Sequence, residues 1–366
     1  MTENYSYKKQ IWQRLKKNKL AFAGLCVIAL AFFVAIFGYY LAPDNSSNAD
    51  LQTVEIQAKK PGYSQLFLKL PIDKTVKESF FHKLLYGSTP RYQYLPISGY
   101  KIGGDNIFIN KYVDEDTSIL QRYNINYLTH HQPGLIQQNI ITKKYWLGTD
   151  TFGRDILSRL IIGTRVSLAV GLIAVLISLT LGILLGALAG YYRGWIDETI
   201  MWLVNVTWSI PTLLLVFAIT LALGKGFWQI FIAVGITLWV SVARLVRGQV
   251  LALTQMEYVQ AAKALGYRDA RIILKHILPN ILGPLMVIAA GNFATAIIIE
   301  AGLSFLGIGV QPPQPSWGLM IKENYNFIIT HNPMLALIPG IAIMILVLAF
   351  NLLGNGLRDA VDVKTD

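Results

Sequence analysis

"EYVQAAKALGYRDARIILKHILP", residues 257–279, sets Glu257, Lys263, Arg268, Asp269, Arg271 and Lys275 between two long apolar runs. Glu257 to Leu265 are mostly good helix formers, and Gly266 stands where a helix C-terminal cap belongs. Tyr267 to Leu278 is expected to form a second helix stopped by Pro279, giving a helix, a sharp turn and another helix. Ala261 and Ala262 leave one side of the first helix almost bare for close approach by a partner surface, with Glu257, Lys263 and Arg268 as rim contacts. An ordinary connecting loop, with alanines for helix propensity and positive charge for topology, gives the same pattern.

Working outward, the flanks are membrane-like. Of 366 residues 54% are hydrophobic and 14% charged, against about 25% charged in soluble domains, and the mean hydropathy is +0.45. Leu20 to Ala42 is uncharged and spans about 34 Å as a helix, enough to cross a hydrocarbon core of roughly 30 Å. Its length argues against a cleaved signal peptide. Further runs at about 166–192, 200–223, 227–243, 281–309 and 334–354 bring the expected spans to six. The net charge of +11 collects beside these runs, so it points to a membrane surface and not to nucleic acid. Cys26 stands alone, which excludes an internal disulfide or cysteine metal site.

Orientation follows from the basic flanks. Lys8, Lys9, Arg14, Lys16, Lys17 and Lys19 face a single acid, Glu3, and keep the N-terminus cytoplasmic. Alternation puts the 244–280 loop inside, and Arg244, Arg247, Lys263, Arg268, Arg271 and Lys275 there agree; the short outer loops offer Lys225 and Lys322. Arg244 and Arg247 are expected to meet lipid phosphates or a partner protein. Residues 43–160 then lie outside as a polar insert with turn signals at Gly103-Gly104-Asp105 and Pro133-Gly134. Short β-prone pieces such as Ile107-Phe108-Ile109 suggest a small mixed domain, expected to serve as a hydrophilic lid or docking surface or to be a passive inserted loop.

The loop resembles the coupling-loop signature of ABC importer permeases: Gln260-Ala261-Ala262, Gly266 and Ile277-Leu278-Pro279 fall at the pattern's places. Gln260 replaces the usual acid and keeps an acceptor oxygen without the charge, and His276 stands where the pattern has isoleucine. "LGTDTFGRDILSRLIIGTRVSL" (147–168), "WVSVARLVRGQVLAL" and "EAGLSFLGIGVQPPQPSWGLM" resemble the C-type permeases of dipeptide and oligopeptide importers, so the likeness runs over about 147–358.

The resemblance implies an all-α polytopic membrane protein of the type I ABC importer permease fold. Its parts would be a cytoplasmic segment 1–19, a first helix 20–42, the insert and an interfacial helix 43–160, a permease core 161–358 with coupling loop 250–280, and a cytoplasmic tail 359–366. The site is the inner (cytoplasmic) membrane. Implied partners are a second, B-type permease, two ATPase subunits and an extracytoplasmic binding protein. ATP and Mg would be bound by the ATPases, and this chain would be a transport subunit and not an enzyme; it shows no Gly-x-x-x-x-Gly-Lys-Ser/Thr loop. Glu257, Gln260, Ala261, Ala262, Gly266 and Pro279 would couple it to an ATPase. Peptides are the expected cargo, with nickel complexes, glutathione and antimicrobial peptides as alternatives. A secondary transporter should show a midplane ionisable site and repeated halves, and a sensor a cytoplasmic output domain.

Gly182, Gly186 and Gly190 form a small-residue ladder, either a moving seam against a second subunit or packing within one. Pro211 is expected to kink the third span. Glu300 is an acid in an apolar run, about 28 Å along the helix from Ile281, so its depth favours a structural or gate role, with Arg154 or Arg159 as partner, over proton coupling. Asp150, Arg154 and Asp155 lack the further ligands a metal needs, and "RDILSRLI" reads as an interfacial helix.

Overall fold

The computed structural model describes residues 2–72, 78–129, 133–224, 226–329 and 332–361; Lys225 and the end of the expected tail lie outside them. The chain divides into two units, one of Met1–Phe32, Ser167–Gln311 and Ile341–Asp366, the other of Phe33–Val166 and Pro312–Gly340.

In chain order the elements are α1 (Thr2–Lys17), α2 (Lys19–Leu41), β1 (Tyr63–Pro71), α3 (Phe80–Tyr86), β2 (Tyr92–Gly103), β3 (Asn106–Tyr112), β4 (Ser118–Asn124), α4 (Ile125–Leu128) and β5 (Ile140–Tyr145). They continue with α5 (Ile156–Tyr192), α6 (Gly194–Ser209), α7 (Thr212–Leu223), α8 (Phe227–Leu253), α9 (Glu257–Ala264), α10 (Asp269–Ile272), α11 (Leu282–Phe305), α12 (Trp317–Asn324) and α13 (Met334–Val361). Among the described residues, α2, α5, α8, Asp269–Phe305 and α13 are long and apolar enough to cross a membrane, and α6 with α7, bent by 96° at their break, meets the same measure as a pair.

The bend corrects the expected kink. Pro211 does not sit inside a curved helix; it begins a new one, and Ile210 before it is extended, at φ −95° and ψ 129°. The proline ring disfavours the helical region for the residue it follows, so α6 must end there. A second correction concerns "RDILSRLI": Ile156–Tyr192 is one continuous helix, with no separate interfacial piece. At 37 residues it is about 55 Å long, so its first turns reach beyond the hydrocarbon core.

In the first unit the glycine ladder packs within the chain. Gly182 faces Trp239 and Val242, Gly186 faces Ala243 and Val246, and Gly190 faces Arg247 and Val250, so α5 lies against α8 with backbone close to backbone. A Cβ on Gly186 would come 2.5 Å from the Ala243 carbonyl oxygen and 2.8 Å from Val246 Cβ. Gly186→Val is therefore expected to cost about 1–3 kcal/mol through overpacking. Thermal unfolding of the purified chain should show the loss, and an unshifted transition would mean that α5 and α8 are not locked together.

In the second unit the insert is a folded five-stranded antiparallel sheet in the order β4-β3-β2-β1-β5, the small folded piece that its β-prone stretches suggested. Leu68, Ile97, Ile107 and Ile109 pack with Ile125, Leu128 and Ile136 on one face, while Ile56, Phe67, Tyr112 and Tyr145 form a second cluster. The α11–α13 connection joins this unit: Trp317 Nε1 donates to the Leu160 carbonyl at 3.0 Å, and Asn332 Nδ2 to the Ala58 and Lys59 carbonyls at 3.4 and 3.3 Å. Segments that pack together lie on one side of the bilayer. An even number of crossings separates them, so if α5, α8 and Asp269–Phe305 each cross once, the α6–α7 pair crosses as well.

Lys143 on β5 borders a cavity of about 240 Å³ with Asp44, Tyr94, Tyr145 and Asp155. Its ammonium lies 3.1 Å from the Tyr94 ring centroid. Burial pushes it down from the ordinary 10.5 to about 8, with Asp44 and Asp155 opposing in part. Between those values the unfolded chain holds more protons than the native one, so this lysine makes stability rise with pH from about 8 towards 10. Higher up, Tyr145, raised by burial, acts in the opposite sense. Melting of the sheet signal at pH 8 and pH 10 should show the gain, and Lys143→Met should flatten it; an unchanged slope in the variant would assign the effect elsewhere.

Candidate functional site

Helix α9 begins after Met256, whose extended backbone at φ −74° and ψ 140° breaks the path from α8. It ends in a paired C-terminal cap. Gly266, at φ +75°, donates its N–H to the Lys263 carbonyl at 2.9 Å, and Tyr267 N–H reaches the Ala262 carbonyl at 3.1 Å. A left-handed residue closes the last turn in this way, and glycine adopts that conformation without a Cβ penalty.

The second helix differs from expectation. Asp269–Ile272 is α-helical, Ile273–Ile277 widens into a π turn, Leu278–Ile281 tightens to 3₁₀, and α11 follows. Pro279 therefore does not stop a helix; it sits in a helical path running from Asp269 to Phe305. The widened turn relieves the clash that a proline ring makes with the carbonyl one α-turn earlier.

The alanine pair divides its work. Ala262 is only 5% exposed and, with Val259, packs on Ala187 and Tyr191 of α5, Val246 and Val250 of α8, and Ile272, Ile277, Ile281 and Leu285. It is part of the chain's own core, which corrects the expectation that both alanines present a bare side. The exposed face carries Glu257, Gln260, Ala261, Ala264 and Leu265, the last 73% exposed. Polar contacts brace the segment from behind: Tyr191 Oη donates to Asp269 at 2.6 Å, Arg193 to Thr254 at 3.1 Å, and Asn280 Nδ2 to Tyr258 Oη at 3.2 Å. Gln260 Nε2 donates to the Gln255 carbonyl at 3.2 Å, a bond that a carboxylate could not make. His276 stacks on Tyr267 at 6.1 Å between centroids, a contact that isoleucine would lack.

Other candidates lie apart from this segment. Arg247 is held by Asp197 at 2.5 and 2.6 Å, and Arg244 lies over the Trp208 ring at 3.6 Å and donates to Asn205; both cations are engaged within the chain. Glu300 is fully buried and accepts from Ser304 Oγ at 2.7 Å and Ser167 Oγ at 3.4 Å, hydroxyl donors the sequence reading missed. Ser304 Oγ in turn accepts the Val310 N–H at 3.0 Å, which ties the end of α11 to the chain beyond it. Arg154 and Arg159, the arginines expected beside Glu300, direct their guanidinium groups to Asp50, Asp150 and Glu323. The chain turns at Gly148 and Gly153, both at positive φ, and Asp150 caps the turn by accepting the Phe152 and Arg154 N–H groups.

Residues 182–366 match a family described as the binding-protein-dependent transport system inner membrane component, and residues 6–61 match the N-terminal TM domain of oligopeptide transport permease C. The chain is 44% identical over 220 residues to a glutathione transport system permease protein of Pectobacterium atrosepticum, covering 60% of this chain and 73% of that one. It is 45% identical over 221 residues to a dipeptide transport system permease protein of Alkalihalophilus pseudofirmus, covering 60% and 72%. Among solved structures, the MetNI methionine ABC transporter in inward-facing conformations matches with a TM-score of 0.48 at 20% identity, covering 56% of this chain and 97% of that one.

Proposed function

The chain belongs to the binding-protein-dependent transport system inner membrane components, and from that premise we propose that it carries short peptides across the cytoplasmic membrane, driven through α9 by separate ATPase subunits. As a member of that family it is a multi-pass membrane subunit of an ABC importer, a transport component whose ATP is hydrolysed by another polypeptide. The peptide cargo is supported by the dipeptide and glutathione permeases it resembles. Glutathione, itself a tripeptide, is the second reading and is favoured by the first of these relatives.

The observation that carries the coupling role is the two-sided build of α9. Its inner side is fixed into the core that joins α5, α8 and α11, while Gln260, Ala261 and Leu265 stand open. A helix so mounted is pushed as a unit. Closure of an ATPase pair gripping the open side would displace α9, and the core behind it would pass the displacement to three spans, biasing them between inward-open and outward-open states. Gly266 sets the exit angle of the lever, and Pro279 lies in the path by which motion reaches α11. The N-terminus, α9 and the C-terminal tail are read as cytoplasmic from their basic flanks, and the sheet insert as extracytoplasmic, where it would face the binding protein. A B-type permease would complete the pathway.

The test is co-isolation and uptake. The chain tagged in its own cells should bring down two ATPase subunits and a second permease, and cells lacking it should lose uptake of labelled dipeptide. Isolation without any ATPase would end the importer reading. Loss of glutathione uptake with dipeptide uptake intact would select the second cargo.

A further inference from the structure

Helix α3 is an unusual piece of the sheet insert. It has seven residues, Phe80-Phe81-His82-Lys83-Leu84-Leu85-Tyr86, and none of them is buried. Phe80, Phe81, Leu85 and Tyr86 are 59, 70, 48 and 62% exposed. Isolated helices shorter than about 12 residues are marginal in water, so a short helix that presents its aromatic side chains outward needs a surrounding other than water.

Its position says which one. The Phe80 ring stacks on Tyr40 with centroids 5.5 Å apart, and Tyr40 Oη donates to the Phe80 carbonyl at 3.4 Å. Tyr40 is the last residue but one of the apolar helix α2. Arg165 of α5 donates to the Leu84 and Leu85 carbonyls, both at 3.0 Å, and its guanidinium lies 5.7 Å from the Tyr39 ring centroid. Gly87, at φ +81°, lets the chain leave α3 directly against the Tyr39 ring. Helix α3 is thus pinned from behind at the depth where a membrane span meets water. Through the Phe80–Tyr40 stack it adjoins the exposed apolar residues Phe33, Ile36, Phe37, Tyr40 and Leu41 of α2, a helix long and apolar enough to cross a membrane. Aromatic rings with a polar tip concentrate at that depth, and cationic side chains there meet lipid phosphates. Lys83 and Arg165 supply such cations, and α3 carries no acid.

We propose that α3 is an interfacial anchor: Phe80, Phe81, Leu85 and Tyr86 seat in the headgroup and upper acyl region of the bilayer at the C-terminal end of α2. The anchor ties the β1–β2 connection, and with it the sheet insert, to the membrane surface. It rests on α2 crossing the bilayer and is independent of cargo and of the ATPase contact.

The test uses the importer complex reconstituted in phosphatidylethanolamine/phosphatidylglycerol nanodiscs, with Cys26→Ala removing the native thiol. A nitroxide on Phe81→Cys is compared with one on Phe37→Cys and one on Ser98→Cys of β2. Collision with oxygen should exceed collision with a water-soluble nickel chelate several-fold at position 81, as at 37, and the order should reverse at 98. A water-like ratio at 81 would overturn the anchor, and so would shielding from both relaxers, which would mean that a protein covers the face. Tyr86→Cys gives the same reading on the same criteria if the Phe81 variant does not assemble.

Discussion

Replacing Arg154 by methionine is expected to destabilise the second unit by about 3–5 kcal/mol, the cost of leaving a buried charge cluster without one of its cations. The guanidinium is 3% exposed and uses every edge: Nε to Asp150 at 2.6 Å, Nη1 to Asp50 at 3.2 Å and Nη2 to Glu323 at 2.7 Å. Arg159 approaches the same three acids at 3.6, 3.8 and 3.4 Å, too far for most of these to be hydrogen bonds. Without Arg154, three carboxylates would face one loosely held cation. Burial alone would lower Arg154, yet Asp150 and Glu323 hold it above its ordinary value. Arg154→Lys should recover only part of the stability, since an ammonium is a point charge and cannot grip three acids in a fixed fork. Thermal unfolding followed through the sheet signal separates the three proteins; equal transitions for Arg154→Met and the parent would show that the cluster contributes nothing net.

That cluster also marks where the sequence stopped being legible. Asp50 and Glu323 lie 104 and 169 residues from Arg154, and no periodicity links residues so far apart. The spans were readable because a backbone in lipid must satisfy itself, which forces long uncharged runs. All six runs correspond to helices or to the bent pair. Pro211 announced a disturbance, but its size depended on Ile210 leaving the helical region, a tertiary outcome. Pro279 misled for a related reason. A stop is the usual effect of proline, and the π turn before it supplied the room that made continuation feasible. The sheet was signalled by short β-prone pieces such as Ile107-Phe108-Ile109, but its strand order depends on pairings that sequence pattern does not record. Val259 and Ala262, three apart on one helix, were the available sign that one alanine faces inward.

The division between Ala261 and Ala262 yields the sharpest test of the coupling reading. Ala261→Trp adds bulk on the open side of α9, where the chain's own core is untouched. Its unfolding transition should match the parent, whereas an ATPase seated against this face would be displaced. Uptake is expected to fall at least about tenfold, the effect of roughly 1.4 kcal/mol at a contact, with ATP hydrolysis no longer responding to substrate. Ala262→Leu does the reverse. It forces three carbons into the cluster of Val246, Val250, Ile272 and Ile277, and overpacking of about 1–3 kcal/mol should lower the unfolding transition before any partner is present. Measuring both variants for unfolding in isolation and for substrate-stimulated ATP hydrolysis in the assembled importer gives a two-by-two result. An Ala261→Trp protein that folds and transports normally would remove the open face of α9 from the coupling path. If it unfolded early, Ala261 would instead belong to the core and the two-sided build would be wrong. A stable Ala261→Trp that hydrolyses ATP without transporting is the outcome expected of a docked lever, because Ala261 stands on the exposed side of α9, away from the core that Val259 and Ala262 enter.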